Sequence, residues 1–177
     1  MKAEGRDPLL RGTRLLLVIT TIIFLAAGVG ALGCLVPVWF FSGNVLTWLA
    51  AHSDGGTVGR DALGAVSAIL VGLTIVDGLT ILFLRKLIAI IGSVGQGSPF
   101  IPENAVRLRV MGWLVLAMQA MELVALPLNG WFRHALANRH FFIPFSLAGL
   151  VTALLLFILA RVFDHGTRLA EDVEGTV

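Results

Sequence analysis

Four long apolar runs constrain the fold of this sequence more than any other feature. They cover residues 15–41, 62–84, 110–128 and 141–163, and each is close to or above the ~20 residues that a helix needs to cross a hydrocarbon layer. The first run carries no charged residue, and each of the others carries one. With 57% hydrophobic and 14% charged residues in 177 positions, the chain has too much apolar surface for one small soluble core. The sequence therefore predicts an all-α integral membrane protein.

The basic residues predict its orientation. Four spans place the amino-terminal segment, the middle loop and the carboxy-terminal tail on one side, which holds ten of the thirteen Lys and Arg residues. The other side holds Arg60, Arg133 and Arg139. By the positive-inside rule, we predict an up-down four-helix bundle with both termini in the cytoplasm and the bilayer as its partner. The pI of about 9.3 then reports topology, so we predict no direct nucleic acid binding.

We predict one domain over residues 1–177, with helices over about 15–41, 62–84, 102–128 and 141–163. Residues 85–91 keep a helical apolar pattern, so the second helix is expected to extend into the cytoplasm to about residue 95. Pro102 and Glu103 suit a first helical turn, because a missing N–H costs little there and a carboxylate meets the positive end of the helix dipole. One helical turn is also expected around Val45–Ala51 in the first external loop.

Small residues at spacing four predict the helix contacts, because they allow close backbone approach in lipid. Such stripes are Ala26, Gly30 and Cys34 in the first helix, Gly64, Ala68 and Gly72 in the second, and Gly149 and Ala153 in the fourth. They predict contact between the first two helices. The same stripes suit a homo-oligomer, and the sequence does not separate the two interpretations.

Three polar residues inside the apolar runs are candidates for function: Asp77, Gln119 and Glu122. Gln119 and Glu122 lie three apart and share a helical face. Charges at this depth are costly and should face the bundle interior. One interpretation is a proton- or cation-linked site. The other is structural, either a hydrogen-bonded pair or a salt bridge from Asp77 to Arg85 or Arg161.

Signatures of catalysis are missing, so we predict a protein that is not an enzyme and binds no metal or cofactor. The four histidines have neither the spacing nor the carboxylate partner of a zinc site. The segment from Gly28 to Gly33 matches the glycine spacing of a dinucleotide fingerprint, but no strand precedes it. We interpret it as helix packing.

The connection between the second and third helices holds a distinctive motif. We call it the connection motif: Gly97, Pro99, Phe100, Asn104, Arg107 and Arg109. The order Gly97-Ser98-Pro99-Phe100, Glu103-Asn104, Arg107-Leu108-Arg109 and Gly112 resembles domain of unknown function (DUF) family 2975, a bacterial family of small four-helix membrane proteins. The acidic tail, residues 166–177, also resembles the family ending, from which Gly175 departs.

The resemblance implies a location in the bacterial inner membrane and no catalysis. It also implies a cytoplasmic partner, a small helix-turn-helix regulator, since genes of the family often lie beside one. The basic residues of the motif and the acidic tail residues Glu171, Asp172 and Glu174 would face the same compartment, where they could bind a partner or each other. Three hypotheses follow: a non-enzymatic sensor or regulatory module, a small proton- or cation-linked transporter, and an envelope stress-protection or immunity protein.

Overall fold

A computed structural model gives the fold of residues 8–54, 57–96 and 99–174, with the side chains of Pro8 and residues 170–174 left undescribed. Every regular element within these ranges is helical, as predicted. The helices are α1 (Pro8–Phe40), α2 (Ser42–Ala51), α3 (Asp61–Val94), α4 (Pro102–Ala125), a 3-10 turn (Leu126–Leu128), α5 (Asn129–Ala135) and α6 (Leu147–Glu174).

Four helical stretches are long and apolar enough to cross a membrane. They are Leu9–Phe40, Asp61–Val94, Pro102–Ala135 and Leu147–Leu169, with 32, 34, 34 and 23 residues. At 1.5 Å per residue, even the shortest covers roughly 34 Å, more than a hydrocarbon layer requires. The number of spans and their approximate places agree with the prediction from the apolar runs.

Several helix ends lie where the sequence predicted them. The α3 helix continues to Val94, α4 begins at Pro102 with Glu103 in its first turn, and α2 covers the expected turn in the first loop. The α1 helix begins at Pro8, seven residues before its predicted start.

The fourth apolar helix, α6, was predicted with the wrong bounds. It begins at Leu147 instead of 141 and continues to Glu174 instead of 163. Pro144 disfavours helical backbone at Ile143, and Ile143 is also held by both ends of the Asn129 amide group. The far end continues past Phe163 through Gly166, against which Phe100 packs closely, and Arg168 pairs with Asp164 one turn earlier at 3.1 Å.

The chain divides into two compact units. Unit 1 contains the residues up to Phe24, Leu79–Ala117 and those from Leu147 onward. Its core joins α4 and α6 through four buried residues, with the aromatic rings of Phe83 and Phe163 packed against them. The four are Leu108, Met111, Leu156 and Ala160.

Unit 2 contains Leu25–Gly78 and Met118–Ser146. Its core is built around Ala65 of α3 and Phe132 and Ala135 of α5, with Phe141 and Ile143 packed against them. The loop after α5 is therefore part of the packed structure, although the sequence predicted the fourth helix to begin there.

The α5 helix ends in a Schellman motif in unit 2. The Asn138 N–H donates to the Arg133 carbonyl at 3.1 Å, and the Ala137 N–H donates to the His134 carbonyl at 3.2 Å. Ala137 has φ = 47°, in the left-handed region that glycine usually occupies at this place. The backbone at Ala137 is therefore strained. The Ala137 carbonyl also accepts a hydrogen bond from the Asp54 N–H at 3.0 Å.

The small-residue stripe of the first helix does not make the predicted contact with the second apolar helix, and its other interpretation, a homo-oligomer contact, stays a prediction. Ala26, Gly30 and Cys34 are exposed. Gly28 is buried instead, and a Cβ built there would lie 3.4 Å from the Asp77 Cβ of α3. The expected contact between the first two apolar helices does occur within unit 2, and Trp39 adds a hydrogen bond to Ser67 at 3.0 Å. In the last helix, Ala153 is buried as predicted.

Candidate functional site

Asn104, in the first turns of α4, is the centre of the connection motif. Its side chain is 0% exposed. The amide nitrogen donates to the Ser93 hydroxyl at 2.7 Å and to the Pro99 carbonyl at 2.9 Å. The amide oxygen accepts a hydrogen bond from the Arg107 guanidinium at 2.7 Å. Both donors and the acceptor of this buried amide are therefore satisfied.

Arg107 extends this network to the last turns of α3. The same Nη1 that bonds to Asn104 lies 3.4 Å from the Ala89 carbonyl, and Ser93 donates to the Ile90 carbonyl at 2.7 Å. A cation near the carboxy-terminal end of a helix is favourable because the helix dipole is negative there. We call Ser93, Pro99, Asn104 and Arg107 the Asn104 network; it joins the end of α3, the connection and the start of α4.

Phe100 joins the connection to α6. Its ring centroid lies 5.3 Å from that of Phe163, and a Cβ added at Gly166 would come within 2.8 Å of its Cδ1 atom. Only a residue without a side chain permits this close approach. The connection is therefore packed against the helix that leads to the acidic tail, although Phe100 remains 48% exposed.

Asn104, Arg107 and Arg109 were expected to form a polar basic surface facing the same compartment as the acidic tail, and this needs correction. Asn104 is buried and Arg107 is half-buried in the Asn104 network, so of the three Arg109 alone is exposed. The reason is that the buried carbonyl groups and hydroxyl at the end of α3 need donors. Gly97 lies outside the described residues, as do the side chains of Glu171, Asp172 and Glu174.

Gln119 and Glu122 share a face of α4, as their spacing predicted. The Gln119 Nε2 donates to the Glu122 Oε2 at 3.0 Å, and the Ser146 backbone N–H reaches the same oxygen at 3.3 Å. Gln119 is 7% exposed, and its Oε1 is buried without a hydrogen-bond donor among the described residues. A buried carbonyl oxygen of this kind costs about 1–3 kcal/mol unless something donates to it.

Asp77 lies in unit 2 against the backbone of α1. A Cβ at Gly28 would lie 3.5 Å from the Asp77 Oδ2, so the carboxylate occupies the space that a larger residue would fill. Gly28 belongs to the glycine-spaced segment of α1, and this contact agrees with its interpretation as helix packing. The small residue lets the polar side chain approach the neighbouring helix.

Two polar contacts were missed by the sequence interpretation. Ser93 bonds to Asn104 across eleven positions, and the buried Asn129 brackets Ile143, donating at 3.2 Å and accepting at 2.8 Å. Asn129 follows Leu126-Pro127-Leu128, and a polar amide directly after an apolar run and a proline was a usable sign of a built turn. Ser93 gave no sign, because a lone serine between glycine and valine suits many positions.

No protein-family model, no curated protein and no solved structure matches this chain.

Proposed function

We propose that the chain is a multi-pass protein of the bacterial inner membrane, with both termini in the cytoplasm. Large apolar side chains on the outside of the helices support insertion: in the most apolar 18-residue windows of the four spans, 0%, 0%, 17% and 17% of the residues are buried. Leu16, Ile23 and Val36 of α1 are 63%, 61% and 73% exposed. A helix that is apolar all round and unburied needs lipid around it. The ten-to-three distribution of basic residues supports the orientation.

In this membrane we propose a non-enzymatic sensor or regulatory module that communicates with a cytoplasmic partner. The observation that carries this is the docking of Phe100 on Gly166 and Phe163. Together with the Asn104 network, it links the connection to the end of α3, the start of α4 and the part of α6 around Gly166. A shift between α3 and α6 would therefore move the connection, and with it the surface around Arg109.

From the resemblance to DUF family 2975 we propose that the partner is a small helix-turn-helix regulator. Arg109 is the exposed charge of the connection motif, so it is the residue of the motif best placed to meet an acidic surface on such a protein. Phe100 would affect partner binding indirectly, because it holds the connection on α6.

Co-purification after crosslinking in native membranes tests this proposal. We expect the regulator encoded beside the gene to be captured by the wild type and lost with Arg109→Glu. Arg133→Glu, an exposed arginine of α5, is the matched control and should retain capture. Phe100→Ala should weaken capture, whereas Phe142→Ala, also exposed, should not. Failure to capture any regulator with the wild-type chain would refute the proposal.

A second candidate, a proton- or cation-linked transporter, is favoured by the unpartnered Gln119 Oε1 beside the Glu122 carboxylate. A buried acceptor next to a carboxylate is an arrangement that could receive a proton or a cation. In proteoliposomes, Glu122→Gln should abolish any such flux, and Glu103→Gln, an exposed acid of the same helix, should leave it unchanged. Flux that survives Glu122→Gln, or no flux with the wild type, would reject this candidate.

A further inference from the structure

We propose that a cleft between the start of α1 and the end of α3 binds the phosphate of an anionic lipid headgroup. This inference rests on the proposed membrane insertion and adds a ligand to it. The cleft belongs to unit 1 and has a volume of about 580 Å³, within the range of roughly 300–1,000 Å³ that is usual for small-molecule sites.

Three arginines supply the charge of this cleft. Arg11 and Arg14 lie three apart on α1, and Arg85 comes from α3. All three are exposed. None of them forms an ion pair with a carboxylate among the described residues, where the ion pair found is that of Arg168 with Asp164 on α6. Guanidinium groups present paired N–H donors that match two phosphate oxygens, which makes arginine suited to phosphate recognition.

Apolar and small residues line the cleft beside the arginines. Leu10, Ile88 and Ile91 line it together with Gly92 and Gly95. A Cβ added at Gly92 would meet nothing within 4 Å, and one at Gly95 would lie 3.8 Å from the Leu10 Cδ1. The small residues keep the wall between the two helices open. In the proposed orientation these apolar and small residues lie on the cytoplasmic side of Arg11 and Arg85, so a bound lipid would place its headgroup at the arginines and keep its tail beside the apolar runs of α1 and α3, whereas free phosphate would contact the arginines alone.

The place of the cleft along the helices agrees with a headgroup site. Arg11 and Arg14 precede the uncharged run of α1, and Arg85 follows the apolar run of α3. In the proposed orientation both ends meet the cytoplasmic leaflet, and basic pockets between helices on that side attract anionic lipids.

Two other basic clefts are less suited to an anion. The cleft of about 600 Å³ in unit 2 contains Arg133, His134 and Arg139, but also Asp54. A cleft of about 520 Å³ along α6 contains Asp164. Both therefore hold a carboxylate that would repel a phosphate, whereas the described lining of the α1–α3 cleft has arginines and no acid.

Native mass spectrometry of the detergent-purified chain tests the proposal, with phosphatidylglycerol and phosphatidylcholine of identical acyl chains as probes. The triple variant Arg11→Gln, Arg14→Gln, Arg85→Gln should bind phosphatidylglycerol about tenfold more weakly or worse, with phosphatidylcholine binding unchanged. The matched control removes the same charge from the predicted outer side: Arg60→Gln, Arg133→Gln, Arg139→Gln. It should change the affinity less than about twofold, because its residues lie outside the cleft.

Equal losses in the two triple variants, or no loss in either, would overturn the proposal. Excess inorganic phosphate should displace little of the lipid; complete displacement would overturn the lipid assignment in favour of a free-phosphate site. If the Gln variant does not fold, the triple variant Arg11→Lys, Arg14→Lys, Arg85→Lys keeps the charge but loses the paired N–H donors of the guanidinium groups. That variant should still bind several-fold more weakly, and unchanged affinity would contradict the proposal.

Membrane fractionation separates the two possible failures. A chain found outside the membrane would refute the proposed function itself. If the chain is in the membrane but its phosphatidylglycerol affinity is unchanged in the triple arginine variant, the lipid site in the cleft is refuted and the regulatory proposal is not affected.

Discussion

Two buried side-chain amides, one in each unit, differ in how many of their hydrogen-bonding groups have a partner. Asn104 in unit 1 is 0% exposed and uses both its N–H groups and its carbonyl oxygen. Gln119 in unit 2 is 7% exposed; it donates to Glu122 and leaves its carbonyl oxygen without a donor among the described residues. Asn104 was a candidate as part of the connection motif, and Gln119 as a polar residue inside an apolar run.

The difference teaches which polar groups stabilise the fold and which remain available for chemistry. A fully bonded buried amide has no capacity left for a ligand, and its role is to hold the segments that it joins. An amide with a free acceptor beside a carboxylate costs stability and retains binding capacity. The Asn104 network is therefore structural, and the Gln119–Glu122 pair is the better candidate for a transported ion.

The substitution Asn104→Leu should have the largest effect on stability. It removes three hydrogen bonds and leaves the Pro99 carbonyl without its amide donor, so we expect a loss of about 2–3 kcal/mol in the free energy of unfolding. Reversible unfolding in mixed micelles measures this loss. Arg109→Leu, which makes no contact in the described network, is the control and should change stability by less than about 0.5 kcal/mol. Similar effects for the two variants would contradict a structural role for Asn104.

The same substitution, glycine to alanine within a helix, should have different effects on stability in the two units. A Cβ at Gly112 in unit 1 would lie 2.9 Å from the Phe157 ring, whereas one at Gly64 in unit 2 would meet Trp131 at 3.9 Å. We expect Gly112→Ala to cost about 1–2 kcal/mol after its gain in helix propensity. Gly64→Ala should be neutral or stabilise by up to about 1 kcal/mol.

Thermal unfolding in detergent measures both alanine variants. In the background Phe157→Leu, the cost of Gly112→Ala should shrink, because a leucine can move away from the added methyl group. An undiminished cost in that double variant would show that the ring contact is not its cause.

The left-handed Ala137 offers a stabilising change in unit 2. Glycine adopts φ = 47° without the Cβ clash, so Ala137→Gly should stabilise by about 0.5–1 kcal/mol, after allowing for the greater freedom of glycine in the unfolded chain. Ala120→Gly, at an exposed helical position of α4, is the control and should destabilise by about 1 kcal/mol. The shift in midpoint temperature measures both, and a loss of stability in Ala137→Gly would contradict the strained cap.

The smallest change is expected for Gln119→Leu. It loses one hydrogen bond to Glu122 but also removes the unsatisfied carbonyl oxygen, so the net effect should lie within about 1 kcal/mol of zero. Measured beside Asn104→Leu in the same micelles, it compares the same amide-to-leucine change in the two units. A loss as large as that of Asn104→Leu would show that Gln119 is equally structural.

The sequence predicted the parts of the fold that depend on composition and local chemistry. Uninterrupted apolar runs identified the four long helices, and Pro102 with Glu103 located the start of α4. The spacing of Gln119 and Glu122 placed them together because both lie on one helix. In α6 the spacing of Gly149 and Ala153 predicted a contact position that is buried at Ala153.

The sequence predicted that the first two apolar helices make contact, but not which residues make the contacts between segments. The α1 helix is apolar on every side, so nothing in its pattern distinguished Gly28, which faces α3, from Gly30, which has nothing near it. The hydrogen bonds of Asn104 were not predicted because its partners include a serine eleven positions earlier and a backbone carbonyl. The start of α6 was missed because Asn129 holds Ile143 from fourteen positions away.

Cysteine accessibility in spheroplasts tests the membrane topology most directly. In a Cys34→Ser background, which removes the single native cysteine, one new cysteine is placed at Arg109 or at Arg139, both exposed. We expect a membrane-impermeant maleimide to label Arg139→Cys in intact spheroplasts and Arg109→Cys only after permeabilisation. Labelling of Arg109→Cys from outside, with Arg139→Cys protected, would contradict the proposed orientation, and with it the cytoplasmic roles of the connection and the arginine cleft.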